Sequence, residues 1–392
     1  MTNDLGISHA RVLVERGAAQ RRAGEFRAAA ETLTQALGIF QSLGDRRGEA
    51  DTLIELSLAH YTMGESSAAI RGLLTAVGIY RTLGNRSGQA EALDRLGTVR
   101  HLTGDCADAV LAFTEALRIF QELGNRQGEG RAVKNIGFAH YLMGDYPAAR
   151  KHLATSLALF RDLDDRLGEA NALKNAGVVR QLTGDLPAAE ADLTEALRLY
   201  RALDNRMGQV NALNCLGVVR CLTGDLPAAT ACLHEALTLS RSLPYRVGEA
   251  DSLRELGVVH HLTGDSKEAI RTIKQAIGIF QETGDRLGRT EALNRLGQVI
   301  LESGEASPEE ALISYRHARD LAKETGSRHE EARAIEGVGR FHALAAIDAD
   351  VATGHLRKAL EIYRELGVPE VARTAELLAR VSPPACPLDS ET

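Results

Sequence analysis

The sequence contains no tryptophan, and only 4% of its 392 residues are aromatic. One large core would draw on more big rings, so many small interfaces are expected in its place. Proline is scarce too, at 9 residues against 37 glycines. The five cysteines (Cys106, Cys215, Cys221, Cys232, Cys386) are odd in number and include no C-x-x-C. That argues against a disulfide framework and a zinc site, and they read as small buried or lining residues. No stretch nears 18 apolar residues without charge, and the start, MTNDLGISHARVLVERG, has no basic run followed by an apolar core. A membrane span and a secretory leader are thereby disfavoured, and a cytoplasmic location is expected. The formal charge of −7 argues against direct nucleic-acid binding. Lysine is rare; the basic residues are nearly all arginine, a bias suggesting a GC-rich bacterial genome.

Catalytic signatures are missing as well. There is no phosphate loop, no H-E-x-x-H and no G-x-S-x-G. His260 and His261 are adjacent but face different ways, so they read as solvated or lining imidazoles. Asp51 with Glu55, and Asp251 with Glu255, are four apart on a helix and read as solvated acidic faces. No enzyme activity, cofactor or metal is expected.

What is present is a period of 40. Glycine recurs at 24, 64, 104, 144, 184, 224, 264 and 304, and again along columns beginning at 17, 44 and 48. Phe40, Tyr80, Phe120, Phe160, Tyr200 and Phe280 keep the same time. Each unit reads as two helices. In 209–243 the first carries an apolar stripe of Ala212, Leu213, Leu216, Val219 and Leu222 and stops at Gly224. Asp225 can cap the second, and Pro227 falls in its first turn. First helices of about 15 residues are expected. The glycines read as punctuation between them, except that Gly217, with Ala229, lets the two helices approach closely. Arg46, Arg86, Arg126, Arg166, Arg206, Arg246 and Arg286 follow the interhelical turn, and a structural bond to a neighbouring carbonyl or carboxylate is expected of them. A single hairpin cannot bury both faces, so stacking is required.

The order Leu216-Gly217, Gly224-Asp225, Ala229, Ala236 resembles the tetratricopeptide repeat, in a 40-residue variety with a longer second helix. The likeness covers 5–367. That variety occurs in animal spindle-orientation adaptors that grip extended peptides. It also forms the C-terminal arms of actinobacterial signal-transduction ATPases and antibiotic-regulatory transcription factors. The phrases NALKNAGVVRQLTGDLPAAEADLTEAL and NALNCLGVVRCLTGDLPAATACLHEAL look most like the latter group. Those regulators carry an NTPase, and often a DNA-binding domain, upstream; neither is found in this sequence. The resemblance implies an all-α, right-handed superhelical solenoid. The expected organisation is one solenoid over 5–382, with repeats starting near 8, 48, 88, 128, 168, 208, 248, 288 and 330. A capping helix is expected over 368–381 and a disordered tail over 383–392.

In tetratricopeptide folds the first helix of each pair lines the concave groove. Carried over, this implies a peptide-binding set of Arg95, Arg131, Lys134, Asn135, Phe138, Tyr141, Asn171, Lys174, Asn175, Val178, Asn211, Asn214, Val218 and Arg254. The middle units, 131–220, are basic and amide-rich. Asparagine is a poor interior helix residue, yet it recurs there. Each amide offers a donor and an acceptor, which suits an extended backbone; alternatively these amides bond between adjacent helices. Arg131, Lys134 and Lys174 suit an acidic side chain or a C-terminal carboxylate. The implied function is a protein- or peptide-binding scaffold in a bacterial regulatory system. A sensor of a small signalling peptide or metabolite, and a purely structural or homo-oligomerising arm, are the alternatives.

Overall fold

The structure is a computed structural model that describes residues 2–344 and 349–381. The expected tail over 383–392 and Cys386 lie outside the described residues. Among those residues every regular element is a helix. The first six are α1 (Thr2–Arg22), α2 (Phe26–Leu43), α3 (Arg46–Thr62), α4 (Ser66–Thr82), α5 (Arg86–Leu102) and α6 (Cys106–Glu122). Then come α7 (Arg126–Met143), α8 (Tyr146–Asp162), α9 (Arg166–Leu182), α10 (Leu186–Ala202), α11 (Arg206–Thr223) and α12 (Leu226–Ser242). The last seven are α13 (Arg246–Leu262), α14 (Ser266–Thr283), α15 (Arg286–Ser303), α16 (Pro308–Thr325), α17 (Arg328–Leu344), α18 (Ala349–Leu366) and α19 (Glu370–Val381). They fall into two compact units, one of residues up to 140 with 151–168, the other of 141–150 with 169 onward. Helices consecutive in the chain pack on one another from α1 to α6 in the first unit and from α10 to α19 in the second. Alternate helices also touch, as α1 does α3 in the first unit and α11, α13, α15 and α17 do in the second.

The helix starts are set by capping. Asp45, Asn85, Asn125, Asp165, Asn205 and Asp285 each accept a hydrogen bond from the backbone N–H three residues on, at 2.8–2.9 Å. The arginine after each cap is therefore the first helical residue. From α3 to α17 the odd-numbered helices run 17 or 18 residues, about 26 Å, rather than about 15.

This placement corrects the reading of one glycine column. Gly48, Gly88, Gly128, Gly168, Gly208 and Gly288 lie inside the helix, not in the turn. A Cβ on any of them would come under 3.0 Å from the ring of Phe40, Tyr80, Phe120, Phe160, Tyr200 or Phe280 respectively. Each ring is at most 3% exposed, so the scarce aromatics are concentrated where they seal a hairpin to the next. A second column serves the contact within a hairpin. A Cβ at Gly217 would meet Leu233, and one at Gly97 would meet Phe113, again under 3.0 Å. Punctuation in the strict sense falls to residues such as Gly224, whose φ of +85° closes α11.

The sixth repeat breaks the pattern. Ser240 stands where the first five repeats and the seventh have an aromatic residue, and Tyr245 stands at the cap position. The Tyr245 ring lies over Gly248, filling the space that the side chain of residue 240 leaves.

The arginine column bonds to carboxylates, as expected. Arg46 and Arg246 pair with the glutamates three residues on. Arg86, Arg126, Arg246 and Arg286 reach Glu122, Asp162, Glu282 and Glu324 on the following repeat. These pairs are exposed or half-buried, so each contributes at most about 1 kcal/mol. Among the described residues no helix is long and apolar enough to cross a membrane.

Candidate functional site on the inner helix faces

In the first unit the expected residues are drawn into side-chain contacts. Arg131 donates through Nε to Asp94 at 3.0 Å and through Nη2 to both oxygens of Glu91 at 2.8 Å. Its guanidinium also lies over the Phe120 ring. Asn135 donates to the other Asp94 oxygen at 3.0 Å. Asp94 is 1% exposed. Burial pushes its carboxyl up from the usual range, against the pull of Arg131 and Arg95. The network thus holds α7 to α5, and Arg131 and Asn135 serve it rather than an open face. Lys134 and Phe138 are half-buried on the same helix, and Phe138 packs edge-on against His101. Arg95 is exposed.

In the second unit the asparagines divide. Asn214 is buried between α11 and α13, donating to the Gly248 carbonyl and accepting from Ser252 Oγ. Asn171 and Asn211 use only one atom each. Their Oδ1 accepts from the hydroxyls of Tyr200 and Tyr245, at 2.7 and 2.9 Å. In the first unit Asp51 does the same for Tyr80, so an oxygen is all this position needs for structure. Among the described residues the amide N–H groups of Asn171 and Asn211 make no hydrogen bond. Asn175 is 8% exposed and its Oδ1 has no partner, an unusual state for a buried amide. Lys174, Val178 and Val218 are half-buried along the same helices, and burial pushes the Lys174 amine down.

Arg254 is the hub of a carboxylate cluster. Nε donates to Glu255 at 2.7 Å, and Nη1 makes ion pairs with Asp251 at 2.9 Å and Glu291 at 2.8 Å. The guanidinium faces the Phe280 ring. Burial raises Asp251 to about 6 and Glu291 to about 7, against the pull of Arg254. Glu55, Asp251 and Glu255 are therefore not a solvated face, whereas Asp51 remains exposed. Asp51 accepts from Tyr80, Glu55 pairs with Arg21, and the other two are held by Arg254. His261 bridges Ser266 and Glu302 at 2.9 and 3.1 Å.

Sequence periodicity alone did not reveal how the ends of this unit meet. A Cβ on Gly144, in the α7–α8 turn, would come under 3.0 Å from the Leu366 side chain at the end of α18. Pro369 lies against Gly184 in the α9–α10 turn. Burial, helped by Glu291, Tyr146, Glu330 and Cys215, pushes the Tyr141 hydroxyl well above the ordinary tyrosine range. No signal at a 40-residue period encodes a contact between residues more than 180 apart. Among the described residues no group of three metal-ligating side chains converges, and the four described cysteines are free.

Repeated helical hairpins, sealed ring-on-glycine and presenting one polar face, define a helical-repeat scaffold. The tetratricopeptide repeat family model matches residues 131–202 and 208–282, and that of anaphase-promoting complex subunit 5 matches 15–88 and 89–128. The chain is a tetratricopeptide-type repeat protein. No curated protein matches it. Among solved structures it is similar to the apo quorum sensor NprR from B. thuringiensis, with TM-score 0.60 and 13% identity over 81% of this chain and 87% of that one. It is similar to the apo form of RapI, at 0.59 and 14% over 70% and 98%. A third is the Rap conjugation gene regulator of plasmid pLS20 in complex with the Phr* peptide, at 0.55 and 15% over 80% and 93%. At these identities the likeness is one of fold.

Proposed function

We propose that this chain is a non-enzymatic scaffold that grips an extended peptide along the first-helix faces of its second unit. In this reading it is the sensing part of a bacterial, cytoplasmic regulatory system. One observation carries the proposal. Asn171, Asn175 and Asn211 stand on neighbouring repeats with amide atoms that no other described residue bonds. A peptide backbone supplies acceptors and donors to such groups at each residue. The peptide in the pLS20 regulator structure lends support, because that protein shares the fold. The lining apolar groups in the second unit are Tyr141, Val178 and Val218.

The test uses the substitution that the protein itself makes. Aspartate serves the tyrosine hydroxyl at position 51, so Asn171→Asp and Asn211→Asp keep the structural acceptor and remove the outward donor. A panel of random-sequence peptides is screened by fluorescence polarisation against the full chain and the double variant. Binders weakened about tenfold, with helicity unchanged, support the reading. Binding unchanged by the double variant places the site elsewhere.

A further inference from the structure

Arg295 occupies, on α15, the same column as Asn175, Cys215 and Glu255, each 40 residues from the next. Its side chain is half-buried, and it makes no hydrogen bond or ion pair among the described residues. Its neighbours differ. Arg254 is held by three carboxylates, and Arg333 donates through Nη1 to Glu330 at 3.1 Å. The acids near Arg295 are engaged. Glu255 takes Arg254, and Glu330 takes Arg333 and the Asn294 amide. Burial and the positive charges of Arg333 and Arg254 work against the Arg295 charge and outweigh the pull of Glu255 and Glu330. A half-buried cation surrounded by acids already in use lacks a counter-ion of its own.

At the other end of the column Asn175 Oδ1 lacks a donor. Three steps between first helices separate the two, about 25–30 Å at 8–10 Å per helix pair. An extended chain covers that span in about eight residues.

We propose that Arg295 is an anion subsite, and that it takes a carboxylate of an extended peptide whose backbone reaches Asn175. This rests on the peptide reading above and adds a charge and a place. Arg131 is not the acid-binding group, because Glu91 and Asp94 hold it. The guanidinium fork suits a carboxylate through two parallel hydrogen bonds. The carboxylate has two sources, a peptide C-terminus or an Asp or Glu side chain.

Two measurements on the full chain test this. Inorganic phosphate is titrated while arginine Nε–H resonances are followed by NMR, the Arg295 signal being assigned by its loss in Arg295→Gln. A saturable shift at Arg295 is expected, and no shift there overturns the anion subsite. Separately, peptides of about eight residues are arrayed as free acids, as C-terminal amides, and as amides with one internal Asp. Binders are expected to need an acid, to weaken about tenfold in Arg295→Gln, and to recover in part in Arg295→Lys. The form that binds identifies the source. Binding indifferent to both the acid and Arg295 overturns the subsite and leaves the peptide reading intact. A phosphate response with no peptide bound in any form overturns the peptide reading and the peptide carboxylate with it, leaving Arg295 as a bare anion site.

Discussion

The hydroxyl of Tyr245 donates to Asn211 Oδ1 at 2.9 Å, although Tyr245 stands where other repeats carry a capping Asp or Asn. Its ring covers Gly248, as the Tyr200 ring covers Gly208 and the Phe280 ring Gly288. Tyr245 thus supplies the ring and hydroxyl that Tyr200 supplies one repeat earlier, and its side chain makes no capping bond. Pro244 belongs to the same exchange. The corresponding turn residues Gly84, Gly124, Asp164 and Asp204 have φ from +48° to +66°, a region proline cannot enter.

Tyr245→Asn alone is expected to destabilise the chain by about 3 kcal/mol, since it empties the space over Gly248. Adding Ser240→Tyr and Pro244→Gly rebuilds the pattern of the neighbouring repeats. The triple variant is expected to recover most of the loss in thermal unfolding. If it unfolds no later than the single variant, Tyr245 is not the replacement for the missing ring.

Glycine-to-alanine changes should differ in sign with position. Gly38 and Gly278 are mid-helix with nothing within 4 Å of a Cβ, so alanine there is expected to stabilise by about 0.5–1 kcal/mol. At Gly88 the same change drives a methyl into the Tyr80 ring and is expected to cost about 1–3 kcal/mol. Chemical denaturation of the three variants checks this.

Closure of the second unit is isolated by a matched pair. Gly144 and Gly224 have φ of +81° and +85°, so alanine meets the same backbone strain at either. Only at Gly144 does the new methyl also meet Leu366. Gly144→Ala is expected to raise hydrogen exchange at the C-terminal end of α18, and Gly224→Ala to leave it unchanged. Equal exchange in the two variants would show that the contact does not hold the ends together.

His329 ties α17 to α19, with Nε2 3.1 Å from Glu370 and Nδ1 3.4 Å from Glu330. Burial pushes its imidazole down, but the two glutamates outweigh burial and raise it to about 9. Raised above the unfolded value, the pair contributes stability that is complete below about pH 6.5 and is lost as pH rises through 9. Asp251 and Glu291, raised to about 6 and about 7 by burial, change over a lower range. Unfolding free energy is therefore expected to fall between pH 7.5 and 9.5 by roughly 1 kcal/mol or more. His329→Gln should remove that slope, which denaturant titration at a series of pH values measures.

Much of the fold was legible because it is local and repeated. Asn205 as a cap, Pro227 in a first turn and Gly224 as a stop each act within a few residues, and forty-residue repetition makes such signals stand out. The inner columns were legible as positions, but not as roles. Asn135 and Asn214 bond to Asp94 and Ser252 on neighbouring repeats, whereas Asn171 and Asn211 keep a donor in hand. The sequence shows the same residue type in all four.

The amino-acid sequence by itself determined the hairpins, their period and the polar face they present. Only the tertiary structure decided that Leu366 meets Gly144, that Tyr141 sits among Glu291 and Glu330, and that Arg295 makes no ion pair among the described residues. The reason is geometric. Each repeat turns slightly against the last, and the place where distant repeats meet depends on the accumulated rotation, which no single forty-residue window contains.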